Sequence, residues 1–506
     1  MKSSLNAARR RWDLDEARTD VVDVLVVGLG VTGAGAALDA ASRGLSVAAV
    51  DAHDLAFGTS RWSSKLIHGG LRYLASGQVG VAWESAVERD ALLRFTAPHL
   101  VAAHPYLLPL TPDVPRARAA ALMAGYRMGD ALRAAAGTPR RLLPGPSRLA
   151  AGRALALAPS LRADGLRGAL LSWDGRVVDD ARLVVALART AAAHGARILT
   201  RCRALALSGD GARVRDELTG EEFDIRARAV INATGVWAGE LTPSVVLRPS
   251  RGTHLVLRPG ALGELRAGLH VPIPGERARF ALVLPQADGR IYAGLTDEPL
   301  DGPIPDVPEA PESDVTFLLD VIGTALDRPL RRSDVAGAFA GLRPLVDTVE
   351  TAETASGQAG GRTADLSRRH VVLRSPDGVV TIVGGKLTTY RRMAEDAVDA
   401  ACPHARASRT ARLPLVGAGP VRPGTPGRLA RRYGSEAWAV RDLMREDPDL
   451  AEPVALGITR AELVWAVRHE GALDAADLLD RRTRIGLVAE DRAAALSAAE
   501  AALAYS

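Results

Sequence analysis

Two glycine-rich segments of this chain carry a lysine in a sequence that otherwise avoids the residue. Of 64 lysines and arginines only three are lysine: Lys2, Lys65 and Lys386. Lys65 lies in Ser63-Ser64-Lys65-Leu66-Ile67-His68-Gly69-Gly70-Leu71-Arg72-Tyr73-Leu74, and Lys386 in Gly384-Gly385-Lys386-Leu387-Thr388-Thr389-Tyr390. An ammonium is a compact charge with three rotatable donors, whereas a guanidinium is a planar fork. A lysine kept against this background marks a position where the fork does not fit. Chance survival at neutral sites is the competing explanation, and the glycine-rich setting of two of the three lysines argues against it.

A third glycine-rich segment has the spacing of a phosphate cradle. Gly28-Leu29-Gly30-Val31-Thr32-Gly33 follows an apolar run and opens a helical pattern, and Asp51 stands 18 residues past Gly33. The setting predicts a βαβ unit: strand Asp23–Val27, helix Thr32–Ser42, strand Ser46–Val50. In such a unit Gly28 permits the tight turn, Gly30 lets a pyrophosphate approach the backbone, and Gly33 seats the helix on the sheet. The helix N-terminus faces the negative charge and the acid receives the adenosine ribose. Two further strand ends point to the same place. Asn232-Ala233-Thr234-Gly235 closes a predicted strand over 229–233, and Gly384-Gly385 closes another over 379–383, before a helix from about Thr389 to Ala401. Three strand ends converging on one ligand suit FAD, which reaches from the βαβ turn to a distant ring site. No second GxGxxG is present for a separate nicotinamide nucleotide.

Composition bounds the remaining possibilities. A chain of 506 residues is too long for one core and predicts two or three domains. With 47% apolar and 24% charged residues it reads as globular. Aromatics at 4% argue against a base-stacking nucleic-acid surface. The two cysteines, Cys202 and Cys402, make neither a disulfide framework nor a metal site, and fit a reducing compartment. Residues 1–20 are polar, with no apolar core of a signal peptide, and no apolar run is long enough to span a bilayer. Between Arg116 and Arg153 lie eight arginines against one acid, Asp130. That stretch is either a solvated face or an attraction to an anionic membrane leaflet.

Read for organisation, residues 1–19 form a disordered tail and residues 20–404 one large unit. It holds the α/β, Rossmann-like βαβ unit and, around 255–257, 281–284 and 290–293, predicted antiparallel strands of a substrate domain. Residues 405–427, rich in Pro and Gly, form a linker, and 428–506 a small α-helical domain.

From Asp23 to Leu487 these motifs together resemble the aerobic, quinone-reducing FAD-dependent glycerol-3-phosphate dehydrogenases. SSKLIHGGLRYL at 63–74 and VGGKLTTYR at 383–391 carry most of the likeness. Val177-Val178-Asp179-Asp180-Ala181-Arg182-Leu183, Gly341-Leu342-Arg343-Pro344-Leu345, Arg468-His469-Glu470 and Arg481-Arg482-Thr483-Arg484 agree. The family's Lys-Gly-Ser-His is here Arg251-Gly252-Thr253-His254, Val236 replaces a usual proline, Arg369 replaces an acid, and Asp51 replaces a usual glutamate.

The resemblance implies a D-amino-acid-oxidase-like architecture, with 20–404 an FAD-dependent oxidoreductase whose discontinuous FAD domain carries a substrate cap, mainly 246–335, and oxidation of sn-glycerol 3-phosphate to dihydroxyacetone phosphate, with electrons passed from FAD to a quinone. It implies a cytoplasmic enzyme held peripherally on the inner face of the cell membrane, with a homodimer as a candidate assembly. Arg72 and Arg343 would receive the phosphate, with Tyr73, Thr296 and Asp297 completing the substrate site. His254 is the favoured base and His68 the runner-up. Lys386 would stabilise negative charge near the flavin. Lys65 would either face the ring or buttress the turn. Cofactor contacts would come from Gly28, Gly30, Val31, Thr32, Gly33 and Asp51, then from Thr59, Ser60, Ser64, Lys65, Leu66, His68, Gly69 and Gly70. Ala233, Thr234, Gly235, Gly384, Gly385, Lys386, Leu387 and Thr388 would complete them. Two other activities remain in view: an oxidase that reduces oxygen, and a flavin-binding protein without catalysis.

Overall fold

The computed structural model describes residues 1–69, 74, 78–276, 279–346 and 369–505. Arg72, Tyr73 and Gly70 lie outside the described residues.

The dinucleotide unit is built on a six-stranded sheet. Its order is His370–Arg374, Val380–Gly384, Val230–Asn232, Val24–Val27, Val47–Val50, Arg197–Leu199. All pairings are parallel except that of the edge strand His370–Arg374. Val24–Val27 and Val47–Val50 are buried at every position, as strands covered on both faces must be. The helix Val31–Ser42 is almost entirely Gly and Ala on its packed side. A Cβ on Gly35 would lie 3.1 Å from the ring of Tyr390, in the neighbouring helix Tyr390–Ala401. Small residues bring the helices close to one another and to the sheet, so the turn at its N-terminus is held rigidly.

The cap is a ten-stranded sheet, and it draws on more of the chain than 246–335. Ser250–Leu257 pairs with Ile291–Gly294 and with Val335–Arg343, and Phe280–Pro285 bridges to Gly268–Pro272. Gly268–Pro272 then pairs in parallel with Val101–Pro109, which pairs with Ala169–Val177 along nine positions. Two strands from well before residue 246 therefore belong to the cap sheet. A period-two pattern shows that a segment is a strand, but not which sheet it joins.

Residues 1–19 differ from the expectation of disorder. Ala7–Thr19 is a helix, capped by the Asn6 side chain accepting from Arg9 N at 2.9 Å. Its buried face mixes Leu14 and Ala17, packed in a core cluster, with charged anchors. Arg10 donates to Thr200 O at 2.7 Å and to Asp216 at 2.6 Å, and Glu16 accepts from Arg197 at 2.9 Å. With two of its four buried positions charged, the helix shows only a short apolar stripe in the sequence.

At the other end, helices Gly427–Tyr433, Ala437–Glu446, Arg460–His469 and Ala489–Leu503 pack around a core of their own containing Leu463, Trp465 and Leu478. The expected linker 405–427 is partly docked: Leu415 is buried against the dinucleotide unit and its N–H donates to Thr96 O at 2.8 Å.

Candidate active site

The glycine turn takes its shape from contacts no side chain could share. Gly28 has φ +99°, and a Cβ there would stand 2.6 Å from the Ala233 carbonyl oxygen. A Cβ on Gly33 would run into the Gly28 carbonyl, so Gly33 seats the helix behind the turn and lines no cavity. Gly30 faces a lobe of about 340 Å³, together with Gly28, Val31, Thr32 and Asp51. Thr59 and Ser60 form one side of this lobe, and Ala233, Thr234 and Gly235 another. Gly384, Gly385, Lys386 and Leu387 close its far end. The helix N-terminus opens on this lobe with no acidic residue in its first turn, and Val31 N–H donates to Ser60 Oγ at 2.8 Å. A turn with an open Gly30, a free-facing helix dipole and hydroxyl-bearing walls fits the pyrophosphate of a dinucleotide. Asp51 braces the turn as well as lining the lobe. Its carboxylate accepts from Leu29 N–H at 2.6 Å and from His53 N–H at 2.8 Å, while burial pushes its pKa up to about 6.

A second lobe, of about 430 Å³, continues from the first, sharing Thr59, Ser63, Pro344, Gly385, Lys386 and Leu387 with it. Both volumes fall in the range of about 300–1,000 Å³ usual for ligand sites. Ser64, Leu66, His68 and Thr388 line this lobe. His254, Thr296, Asp297 and Arg343 line it from the cap. The Arg343 guanidinium is oriented by donation to Ser250 Oγ and Asp297 Oδ1, both at 3.1 Å, and to Thr296 O at 3.0 Å. Lys386, at the junction of the lobes, donates to Ser85 Oγ.

His254 is fully buried, stacked on Phe339 with ring centroids 4.8 Å apart, and its Nε2 shares a 2.9 Å hydrogen bond with Ser64 Oγ. Its Nδ1, also buried, has no hydrogen-bond partner among the described residues. Burial, and then the charges of Lys65 and Arg343, pull its pKa down to about 3. The imidazole is therefore neutral here, and does not titrate near neutral pH as the residue type alone led us to expect.

Lys65 lines neither lobe. Its ammonium, 2% exposed, donates to Arg61 O at 3.1 Å, Ser63 O at 3.0 Å and Asp180 Oδ2 at 3.0 Å. Three acceptors converge on one nitrogen, a geometry for an ammonium and not for a planar fork. Burial brings its pKa down to about 8, opposed by Asp180. The cofactor contact expected of Lys65 is thus corrected: its ammonium sits behind the turn, not at the cavity face. Gly69 also lies off both lobes, with its N–H on Asp174 and Arg89 packed against its α-carbon.

Sequence reasoning missed several groups here. Asp180 was visible in the Val177–Leu183 motif, but its partner was not, because Lys65 is 115 residues away in the chain. Tyr106, His270 and Phe280 stack in succession along the second lobe, Tyr106 and His270 with centroids 5.1 Å apart. No local signal marked them.

A phosphate-cradling turn that opens into a sheet-roofed second lobe defines a flavin-dependent oxidoreductase of the D-amino-acid-oxidase type. Residues 23–409 match the family described as FAD dependent oxidoreductase, and 381–505 the C-terminal domain of alpha-glycerophosphate oxidase. The chain is 55% identical over 508 residues to Glycerol-3-phosphate dehydrogenase 1 of Mycobacterium tuberculosis, covering 97% of this chain and 96% of the relative. It is 36% identical over 529 residues to the Glycerol-3-phosphate dehydrogenase of Mycobacterium leprae, covering 96% and 84%. Among solved structures, the glycerol-3-phosphate dehydrogenase of Bacillus halodurans complexed with FAD superposes with a TM-score of 0.75 at 26% identity, covering 99% of this chain and 94% of that one. The chain belongs to the family of FAD-dependent glycerol-3-phosphate dehydrogenases.

Proposed function

We propose that this enzyme oxidises sn-glycerol 3-phosphate to dihydroxyacetone phosphate and passes the electrons to a quinone. The observation that carries the reading is the second lobe, where Arg343, Lys386 and a neutral His254 flank a cavity continuous with the dinucleotide lobe. When bound, FAD supplies the acceptor for the hydride that leaves C2 of the substrate. Arg343, already oriented by Asp297, Ser250 and Thr296, presents a fork to the substrate phosphate. A phosphate paired with Arg343 offsets one of the two charges that depress His254, so binding substrate makes the imidazole a better acceptor for the C2 hydroxyl proton. Ser64 holds that ring through Nε2. Lys386 holds positive charge where the two lobes meet.

The test is anaerobic addition of phosphorylated polyols to the FAD-loaded enzyme, followed by flavin absorbance. Bleaching by sn-glycerol 3-phosphate, with dihydroxyacetone phosphate as product, is expected. Bleaching by another polyol phosphate and not by this one overturns the reading.

The match of the C-terminal unit to a domain described from an oxidase favours a second reading, in which oxygen is the acceptor. Stopped-flow reoxidation of the reduced enzyme by air and by a soluble quinone separates the two.

Peripheral membrane attachment is part of the same proposal. Among the described residues no helix is long and apolar enough to cross a membrane. Arg116, Arg127, Arg140, Arg141, Arg148 and Arg153 are exposed, whereas Arg133 turns inward onto Asp130 at 2.6 Å.

A further inference from the structure

The loop of residues 52–63 forms one side of the dinucleotide lobe through His53, Phe57, Gly58, Thr59 and Ser60. Its opposite side is gripped by the C-terminal helical unit. Asp54, fully buried, accepts from Arg481 Nε at 2.6 Å and from Arg482 Nη1 and Nη2 at 2.7 and 2.8 Å. Arg484 donates to Arg61 O at 2.7 Å, one residue beyond Ser60. Arg201, whose N–H donates to His53 O at 2.7 Å, reaches Asp474 and Asp477 of the same unit at 2.5 and 2.7 Å. The grip is transmitted to the glycine turn: Asp51 and Ala56, on either side of Asp54, hold Leu29 N–H and Leu29 O at 2.6 and 3.0 Å.

Two further features single out this seam. Among the described residues, five without glycine's freedom have left-handed φ: Ala56, Lys65, Arg201, Leu456 and Arg484. Ala56, Arg201 and Arg484 belong to this seam, and Lys65 adjoins it through its bond to Arg61 O. Such backbone is unfavourable for a residue with a Cβ and persists where the surroundings over-determine it. Arg61 is a buried guanidinium with no carboxylate partner among the described residues, and burial, then Arg481 and Arg484, pull its pKa down to about 9. Arg61 stacks over Phe57 and Trp62, at 4.9 and 4.2 Å from their ring centroids.

We propose that the C-terminal helical unit is a cofactor clamp: Arg481, Arg482 and Arg484 hold the loop 52–63 in the form that retains FAD. These arginines are positioning residues. They line neither lobe and act through Asp54 and Arg61.

The experiment uses the full chain with Arg481→Gln and Arg484→Gln, each stripped of flavin and titrated with FAD by fluorescence. Melting of the same apoproteins is followed in parallel. Arg481→Gln leaves Asp54 paired with Arg482, and Arg484→Gln leaves every carboxylate of the cluster paired, so both are milder than Asp54→Asn, which would take from Arg482 its one ion pair among the described residues, whereas Arg481 would keep Asp477. The FAD dissociation constant should rise roughly ten-fold in each, the size of one hydrogen bond to a charged group, while the apoprotein melts within a few degrees of the parent. Arg484→Lys, which keeps one donor, should restore part of the affinity. Unchanged FAD affinity in both glutamine variants overturns the clamp. So does a loss of affinity that merely follows a collapse of apoprotein melting, with no rescue by lysine. If one glutamine variant does not fold, the other decides, and unchanged FAD affinity in it overturns the clamp.

Discussion

Arg343 is held from three sides before any substrate arrives, by Ser250, Asp297 and the Thr296 carbonyl. A pre-oriented fork loses little entropy on binding phosphate. Arg343→Ala should therefore raise KM for sn-glycerol 3-phosphate and lower kcat/KM about ten- to a hundred-fold, the loss of a charge-assisted contact of about 1.5–3 kcal/mol. Turnover of unphosphorylated glycerol, measured alongside, should be nearly unchanged, and an equal loss on both substrates would show that the arginine serves the fold. His254 makes a different prediction. Its folded pKa of about 3 lies below the unfolded value of 6.5. As pH falls below 6.5 the unfolded chain takes up a proton that the folded ring refuses, so stability drops from there down to about pH 3. Between pH 7 and pH 5 this one residue should cost about 2 kcal/mol. Denaturant midpoints at the two pH values should differ less in His254→Gln than in the parent. An identical difference would mean the ring is solvated or charged in the native state.

The βαβ turn is the element on which the cofactor lobe depends. Gly30 contributes open backbone to it, and even a Cβ there would stand 3.0 Å from Ser60 Oγ. Gly30→Val places two further methyl groups in the lobe and against Ser60, whose hydroxyl receives Val31 N–H. The purified variant should hold at least ten-fold less flavin per chain, read from visible absorbance, a deficit of about 1.4 kcal/mol or more. A fully flavinylated Gly30→Val protein would remove the turn from the cofactor site. The cap sheet works at the same scale in another way. It brings His254 onto the strand Ser250–Leu257 and Arg343 onto the strand Val335–Arg343, paired so that both face one lobe.

Across the whole molecule the arginine-rich composition has a structural use. Arg182 with Glu470, Arg189 with Glu436, Arg428 with Glu462 and Arg391 with Glu88 are two-pronged pairs, and the first two join the C-terminal unit to the helix Asp180–Ala193. A guanidinium matches a carboxylate with both prongs, which an ammonium cannot. Removing one partner of such a buried pair leaves an uncompensated charge, at a cost of about 3–5 kcal/mol. The surface arginines behave differently. The exposed set around the helix Arg116–Ala135 should sediment with anionic vesicles at low salt and release as salt is raised, since attraction is screened within about 8 Å at physiological ionic strength. Equal binding to neutral vesicles, or binding indifferent to salt, would count against a membrane-facing role.

The sequence by itself determined the features that rest on local chemistry. Gly28, Gly30 and Gly33 marked the turn because only glycine tolerates the contacts made there. The apolar runs at 24–27, 230–232 and 380–384 marked buried parallel strands, and the alternation of the C-terminal helices marked a separate core. Lysine scarcity picked out Lys65 and Lys386, although it could not say that one backs the turn while the other faces both lobes. Only the tertiary structure decided the rest. The Ser64–His254 bond joins residues 190 apart in the chain, and the Asp54–Arg482 pair joins residues 428 apart. Two strands of the cap sheet come from 101–109 and 169–177, and the N-terminal helix docks in part by ion pairs with distant strands. The physical reason is common to all four. Periodicity records which face of a segment is buried, whereas the partner of that face, and the pKa its charges acquire there, depend on surfaces that meet only once the chain is folded.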